Sequence, residues 1–203
     1  MYLYDVKIGT RPPMMIFLIL APYGVFALLM LAGSAITSLF TAAAICLLVI
    51  AYDAYRGRSI KVLGAGSALV FAALGGYLAV TGEAWSVSAV KFTADAGILA
   101  IALISIAAGK PFTLQYARET EDAQTAQMPD FLFANYVITW AWVLAILLMM
   151  GANMLPVYVP GMPLWSGLAV AFAARNTAVY FSRWYPGYWK AKLAAAAMAS
   201  SPS

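Results

Sequence analysis

Two ionisable residues, Lys91 and Asp95, lie in one long apolar stretch and are the first candidates for chemistry in this sequence. Their i, i+4 spacing puts both side chains on the same face of a helix, where they can pair. If the membrane span begins near Val90, Asp95 lies ~8 Å below the outer surface. A carboxylate at that depth is typical of a path for protons or cations, and a paired couple near the surface is the alternative.

Arg175 and Asn176 form the second candidate pair, about two helical turns before the end of the last apolar stretch. From there we expect Arg175 to extend its side chain to the lipid headgroups. The amides of Asn176, Asn135 and Asn153 reach water less easily. Buried amides usually bond across helices, so these three are predicted to tie helices together first and to contact a ligand second.

The chain has no histidine and one cysteine, Cys46. The absence of imidazole excludes bis-His haem, His-ligated zinc or copper, Ser-His-Asp triads and HExxH metalloprotease sites. Cys46 is predicted to act as a small buried hydrophobe. We therefore predict no catalytic residue, no metal site and no cofactor, and we expect the acidic stretch 119–122 to be a solvated face.

The composition determines the class of protein that must position these residues. The 203 residues are 64% hydrophobic and only 10% charged, with a mean hydropathy of +0.84. So little polar surface cannot cover a water-soluble globule, which predicts an integral membrane protein. The formal net charge of +4 comes from basic residues beside apolar stretches, where they meet anionic headgroups. Lipids are therefore the predicted partners, and nucleic acid is not.

Six apolar segments are long enough to cross the ~30 Å hydrocarbon layer of a bilayer. The fold class predicted is all-α: one polytopic membrane helix bundle of residues 1–203, built as three helical hairpins. A cytoplasmic loop is expected at 110–130 and a C-terminal tail at 183–203. The six predicted spans are 14–33, 35–52, 62–80, 90–109, 131–155 and 164–182.

The basic residues predict the orientation of these spans. Eleven of the 12 Lys and Arg residues, beginning with Lys7 and Arg11, are predicted to lie on the same side of the membrane as the N-terminus. Lys91 is the exception. Because basic residues concentrate on the cytoplasmic side of a membrane, both termini are predicted to be cytoplasmic. The expected location is the inner membrane of a bacterium, with several passes.

Small residues in the third segment recur every fourth position, which predicts a smooth ridge on one helix face. Helices in lipid associate where small residues allow their backbones to approach closely. We expect this ridge to contact a neighbouring helix. It consists of Gly64, Ala68, Ala72 and Gly76.

The stretch after the fourth segment alternates apolar and polar residues. Gly109 can end the preceding helix and Pro111 can begin a new turn. A short interfacial helix or an extended surface segment both fit this pattern. The residues concerned are Lys110, Pro111, Phe112, Thr113, Gln115, Tyr116 and Arg118.

This same stretch carries a resemblance to a known family. Its Gly-Lys-Pro-Phe-Thr sequence directly after a membrane segment is followed by Asn135, Trp140 and Ala141 at the start of the next segment and by Asn153 at its far end. The pattern, over roughly 107–189, resembles the intracellular septation protein A family of bacterial inner-membrane proteins. The resemblance implies a multi-pass protein of cell-envelope maintenance or septation, with no catalytic residues to transfer. The first hairpin shows no such match.

Three functions fit the sequence. The first is a non-enzymatic scaffold or accessory subunit that contacts other membrane proteins or itself. The second is a small transporter or channel that uses Asp95 with Lys91 and Arg175 with Asn176. The third is a minor subunit of a large energy-converting membrane complex. A lipid-active enzyme is not expected, because only Asp, Glu, Lys, Ser and Tyr remain as nucleophile and base and no cluster of them is evident.

Overall fold

The structure is a computed structural model that describes residues 14–119, 121, 124–159 and 161–200. The described residues form seven α-helices and one short 3-10 turn, Thr125–Gln127, and no strand. The helices are α1 (Met14–Ala32), α2 (Ala35–Tyr55), α3 (Val62–Thr81), α4 (Val87–Ala107), α5 (Phe112–Ala117), α6 (Pro129–Tyr158) and α7 (Leu164–Ser200). Lys7, Arg11 and Asp122, which carry part of the predicted orientation and solvated face, lie outside the described residues.

Four helices, α2, α3, α4 and α6, are long and apolar enough to cross a membrane. This confirms the predicted class of an all-helical membrane protein. In α1 the described side chains begin at Ala21, and Ala21–Ala32 is apolar. In α7 Arg175 and Asn176 interrupt the apolar sequence. Six crossings therefore stay a prediction, as does the orientation of the bundle.

Local sequence accounts for the ends of several helices. The hydroxyl of Ser34 accepts a hydrogen bond from the Thr37 amide at the start of α2, at 3.2 Å. Ser86 does the same for Ala89 at the start of α4, also at 3.2 Å. Such caps satisfy amides that have no partner inside the helix. Gly109, predicted to end the fourth segment, has φ +70° just beyond α4, a left-handed conformation that favours glycine.

The helices pack mainly as neighbours in chain order, with one long-range contact that matters for the site. The helix α2 packs between α1 and α3, and α6 packs against both α4 and α7. Phe71, Leu39 and Leu78 are fully buried between the first three helices. The contact of α6 with α4 brings the fourth and fifth predicted spans together, and their polar residues with them.

The predicted small-residue ridge of α3 is only partly correct. Ala68 is buried and Gly64 lies near Ile50, but Ala72 is exposed and a side chain at Gly76 would meet open space. The closest backbone approaches of α3 lie at neighbouring positions. A Cβ at Gly75 would lie 3.3 Å from the Leu39 side chain, and one at Gly66 would lie 2.6 Å from that of Ile101. The reason is that α3 touches α2 and α4 on different faces, so its contacts do not follow a single i, i+4 line.

The seventh helix runs beyond the predicted sixth span, 164–182. It has 37 residues in all and ends at Ser200, so most of the predicted C-terminal tail 183–203 is helical. Aromatic rings four residues apart stack along it, with 5.0 Å between the centroids of Phe181 and Tyr185. Trp189 also packs on Phe133 of α6 at 5.1 Å. Ring contacts of this kind and an alanine-rich end stabilise a helix although its polarity rises.

Candidate functional site

The carboxylate of Asp95 is the centre of the candidate site. The amide nitrogen of Asn153 donates a hydrogen bond to Asp95 Oδ2 at 2.7 Å, joining α6 to α4. Asn153 is buried, and Asp95 is half-buried. Asp95 lies about 12 Å along α4 from its first residue, Val87. Asn153 thus ties two helices together, as predicted, and it does so through the candidate carboxylate itself.

Lys91 lies one turn from Asp95 on the same helix and is buried, with 8% of its surface exposed. The predicted ion pair between the two is not formed: among the described residues, the ion pairs are Arg58–Asp53, Lys61–Glu119 and Lys190–Glu121. Asp95 instead takes its hydrogen bond from Asn153. Lys91 is close enough to act on Asp95 through its charge, and its side chain lines a small cleft.

This cleft, called here the Lys91 cleft, opens between the start of α4, the end of α6 and the start of α7. It is very small: about 10 Å³ is open in it, roughly the space of a single water-sized sphere. Its walls are mostly apolar, and its polar side chains come from Lys91, Ser88 and Asn153. It is lined by Leu31, Val87, Ser88, Lys91, Ala152, Asn153, Pro156 and Gly167.

Arg175 does not extend away from the bundle as predicted. Its guanidinium carbon lies 5.9 Å from the centroid of the Tyr23 ring, a cation–π contact with α1. The residue is half-buried. A cation against a ring face is better stabilised than one that faces hydrocarbon, which explains why Arg175 turns toward Tyr23.

Tyr23 is the site residue that sequence reasoning missed. Its hydroxyl shares a hydrogen bond with Ser67 of α3 at 2.6 Å. Its ring packs against Phe71 at 6.0 Å. The sequence contains a signal for Tyr23, because this tyrosine directly follows Pro22 in the middle of an apolar segment and is more polar than its surroundings. Interfacial tyrosines are common enough in membrane helices to hide it.

The two other predicted amides do not belong to this site. Asn176 is exposed and donates to the Phe172 carbonyl of its own helix at 2.7 Å. Asn135 is buried and donates to the Phe131 carbonyl at 2.8 Å, likewise within its own helix, α6. Neither side chain crosses to another helix in the bonds observed. Of the three amides, Asn153 alone has the predicted interhelical role.

A second cleft, called here the Lys61 cleft, lies between α1, α2, the start of α3 and α5. Lys61 is buried there, bonded to Glu119 and 5.7 Å from the centroid of the Tyr116 ring. Burial raises the pKa of the Tyr116 hydroxyl, so this ring stays neutral. The cleft reaches from these residues to Tyr23. It is lined by Pro22, Tyr23, Cys46, Val49, Ile50, Asp53, Lys61, Gly64 and Tyr116.

The predicted loop segment packs into the bundle and does not lie on its surface. Phe112, Thr113 and Leu114 are buried in α5, and the Phe112 amide donates to Ser105 of α4 at 3.1 Å. Gln115 accepts a hydrogen bond from the first amide of α3 at 2.8 Å. Pro111 is also fully buried, whereas Lys110 and Arg118 are exposed. The short-helix alternative was therefore correct, and a position at the membrane interface stays a prediction.

Thr113→Val tests this packing. The Thr113 hydroxyl donates to the Asn135 carbonyl at 2.9 Å and lies 2.8 Å from the Thr139 hydroxyl. We expect the substitution to lower the free energy of unfolding by about 1 kcal/mol, since a buried hydrogen bond is lost while the volume is kept. Thermal unfolding in mild detergent measures the effect. The control is Thr177→Val, because exposed Thr177 bonds only to its own helix, and an equal effect of both variants would contradict the prediction.

Glu119→Ala tests the buried ion pair. Its partner Lys61 has a side chain only 6% exposed, so removing the carboxylate leaves a buried ammonium with Ser59 as its remaining acceptor. We expect a loss of about 2 kcal/mol in stability. Glu121→Ala is the matched control, because its partner Lys190 is 54% exposed and exposed pairs contribute about 0–1 kcal/mol. Indistinguishable unfolding midpoints for the two variants would refute this ranking.

Six polar residues from five helices, called here the polar row, lie between the two clefts. From the Lys91 cleft to the Lys61 cleft, its members are Lys91, Asn153, Asp95, Arg175, Tyr23 and Ser67. Among the described residues no group of three or more His, Cys, Asp or Glu is placed to hold a metal ion. The fold and the site define a helical membrane protein with a polar row inside its bundle. Comparison with protein-family models, curated proteins and solved structures finds no match to this chain.

Proposed function

We propose that the protein is a small membrane transporter or channel that moves an ion along the polar row. The observation that carries the proposal is the Asp95–Asn153 hydrogen bond between two long apolar helices, with Lys91 one helical turn from Asp95 in α4. Ionisable groups are costly inside a membrane and usually line substrate paths there.

The two clefts support this proposal. The Lys91 cleft includes Asn153 and so reaches the group that binds Asp95. The Lys61 cleft includes Tyr23 and so reaches the ring that contacts Arg175. Between them lie Asp95, which is hydrogen-bonded to Asn153, and Arg175, which contacts the Tyr23 ring. Paired clefts with a closed middle are the arrangement that a gated path requires.

The location and topology belong to the same proposal. We place the protein in the inner membrane of a bacterium with six crossings, adding α1 and α7 to the four apolar helices, and with both termini in the cytoplasm. On that orientation the Lys91 cleft faces outward and the Lys61 cleft faces the cytoplasm. Membership in the septation protein A family stays a prediction. No catalytic residue is assigned.

The experiment is ion flux from vesicles that contain purified protein. Vesicles loaded with potassium chloride are diluted into potassium gluconate or into a sodium salt, and proton, potassium and chloride movements are followed with separate probes. We expect one of these ions to move faster than in vesicles without protein. No flux of any ion, in either orientation of the gradient, would overturn the proposed function.

A second candidate function is that of a scaffold or accessory subunit, and the surface of α7 favours it. Tyr180 is 69% exposed, and Trp184 and Tyr188 also present large exposed rings. Exposed aromatic surface is enriched where membrane proteins meet partners. Photocrosslinking from position 184 in cells tests it. A specific protein adduct is expected, and adducts to lipid alone would exclude this role.

A further inference from the structure

The size of the two clefts limits what can move along the polar row. About 10 Å³ is open in the Lys91 cleft, the room of roughly one water. About 30 Å³ is open in the Lys61 cleft, the room of roughly two waters. An inorganic ion with its hydration shell does not fit in either cleft, and an ion without that shell is very costly to place in a low-dielectric interior. A proton needs no such space, because it passes between hydrogen-bonded groups by exchange.

We infer that the transported ion is the proton, that Asp95 carries it, and that the hydroxyls of Tyr23 and Ser67 pass it on. This inference rests on the proposed function and names its substrate. The first observation for it is the bonding of Asp95. None of the ion pairs among the described residues includes Asp95, and its hydrogen bond comes from the neutral amide of Asn153 at 2.7 Å. An amide N–H donates equally well to a carboxylate or to the carbonyl oxygen of a carboxylic acid, so this bond holds Asp95 in place in both protonation states.

The surroundings of Asp95 lock neither of these states. The charged and titratable groups of the helices around it are Lys91 of α4, Arg175 of α7 and Tyr23 of α1, while α6 faces it with Asn153. The two cations favour the ionised carboxylate, and the apolar helices favour the neutral acid. A group that carries a proton must both bind and release it, and Asp95 is placed to do so.

A second observation is the hydroxyl pair that leads to the Lys61 cleft. The oxygens of Tyr23 and Ser67 lie 2.6 Å apart, and each hydroxyl can donate to the other. Ser67 is fully buried, and Tyr23 lines the cleft. A proton that reaches the Ser67 oxygen forms an O–H bond there while Ser67 passes its own proton to the Tyr23 oxygen. Tyr23 in turn releases its proton to water in the Lys61 cleft, so one proton enters the pair and one leaves it.

The packing of α3 against α4 gives the distance between Asp95 and this pair. A Cβ at Gly97 would lie 2.6 Å from the Val70 side chain, so these two positions are level. The two helices run in opposite directions, so Asp95 lies two residues to one side of this level and Ser67 three residues to the other. At 1.5 Å per residue they are separated by about 8 Å along the helices. A proton crosses such a distance only along intervening water, so the entry of water between Asp95 and Ser67 is the gated step.

Proton uptake into vesicles that contain purified protein tests the inference. A pH difference alone drives the uptake, with potassium chloride equal on both sides and a potassium carrier holding the membrane potential at zero. A pH-sensitive dye inside reports it, and potassium and chloride are followed separately under their own gradients without the carrier. We expect proton uptake faster than in vesicles without protein, and potassium and chloride movements equal to those of such vesicles.

Two variants test the hydroxyl pair. Tyr23→Phe keeps the ring that Arg175 contacts and removes the hydroxyl. We expect it to slow proton uptake at least about tenfold, since a positioned proton-transfer group typically contributes about 10²–10⁴ in rate. Ser67→Ala should slow it likewise and decides the question if Tyr23→Phe does not fold, which gel filtration and thermal unfolding report. Tyr180→Phe is the matched control, because Tyr180 is 69% exposed, and it should leave the uptake unchanged.

The outcomes separate this inference from the proposed function. Proton uptake that falls in Tyr23→Phe and persists in Tyr180→Phe supports both. Potassium or chloride flux without proton flux overturns the proton as the transported ion and leaves the transport function standing. Proton uptake by Tyr23→Phe and Ser67→Ala equal to that of the wild type overturns the path through the hydroxyls. Absence of flux for all three ions overturns the transport function itself.

Discussion

Asp95→Asn is expected to reduce ion flux at least about tenfold, because it removes a full charge from a low-dielectric path where ~1.4 kcal/mol already changes a rate by that factor. The substitution keeps the size of the side chain and can keep the hydrogen bond from Asn153, which measures 2.7 Å. The bundle should therefore remain folded. Flux is measured in vesicles, and folding is checked by gel filtration and thermal unfolding.

Two further variants make this result specific. Glu83→Gln removes an exposed carboxylate that bonds Trp85 in the turn before α4, and it should leave the flux unchanged. The double variant Asp95→Asn with Asn153→Asp moves the carboxylate across the same hydrogen bond, and we expect it to recover part of the lost flux. Flux of Asp95→Asn equal to the wild type would show that the carboxylate has no part in transport.

Gly167→Ala is expected to destabilise the bundle by about 1–3 kcal/mol, the usual cost of overpacking a close contact. A Cβ at Gly167 would lie 2.8 Å from the carbonyl oxygen of Ala152. The obstacle is the backbone of α6, which cannot turn aside as a side chain can. The helix α7 must then move away from α6 near the Lys91 cleft, which both residues line. Unfolding in mild detergent, followed by loss of helical circular dichroism, measures the change.

Gly151→Ala is the matched control for this helix contact. It is the same substitution in α6, at a position where a new Cβ meets no atom within 4 Å. We expect it to be neutral or slightly stabilising, since alanine favours a helix over glycine by up to about 1 kcal/mol. If Gly167→Ala were as stable as Gly151→Ala, the close approach of α6 and α7 would be contradicted.

Much of the fold could be predicted because the local sequence determines where membrane helices form. Apolar length predicted α2, α3, α4 and α6, and Gly109 predicted the end of α4, since both depend on residues next to one another. The end of α7 could not be predicted in this way. Its continuation depends on Trp189 packing against Phe133, a contact with another helix.

The site was predicted in its residue types and not in its pairings. Lys91, Asp95, Asn153 and Arg175 were found because polar groups in apolar stretches are rare and costly. The residues that they contact were not predicted. Helix spacing favoured Lys91 for Asp95, whereas the bond observed comes from Asn153, 58 positions along the chain. Asn176 was chosen as a candidate because it is next to Arg175 in the sequence, but its side chain is exposed.

The sequence by itself determined the class of this protein, its four long apolar helices and the few residues able to do chemistry inside them. These follow from hydropathy, length and residue type, which are properties of short segments. Only the tertiary structure decided that Asp95 bonds Asn153, that Arg175 turns to Tyr23, and that Lys91 is a buried residue that lines a cleft. Each depends on which helix faces lie together, and in lipid that choice is made by close packing between distant segments, not by any local pattern.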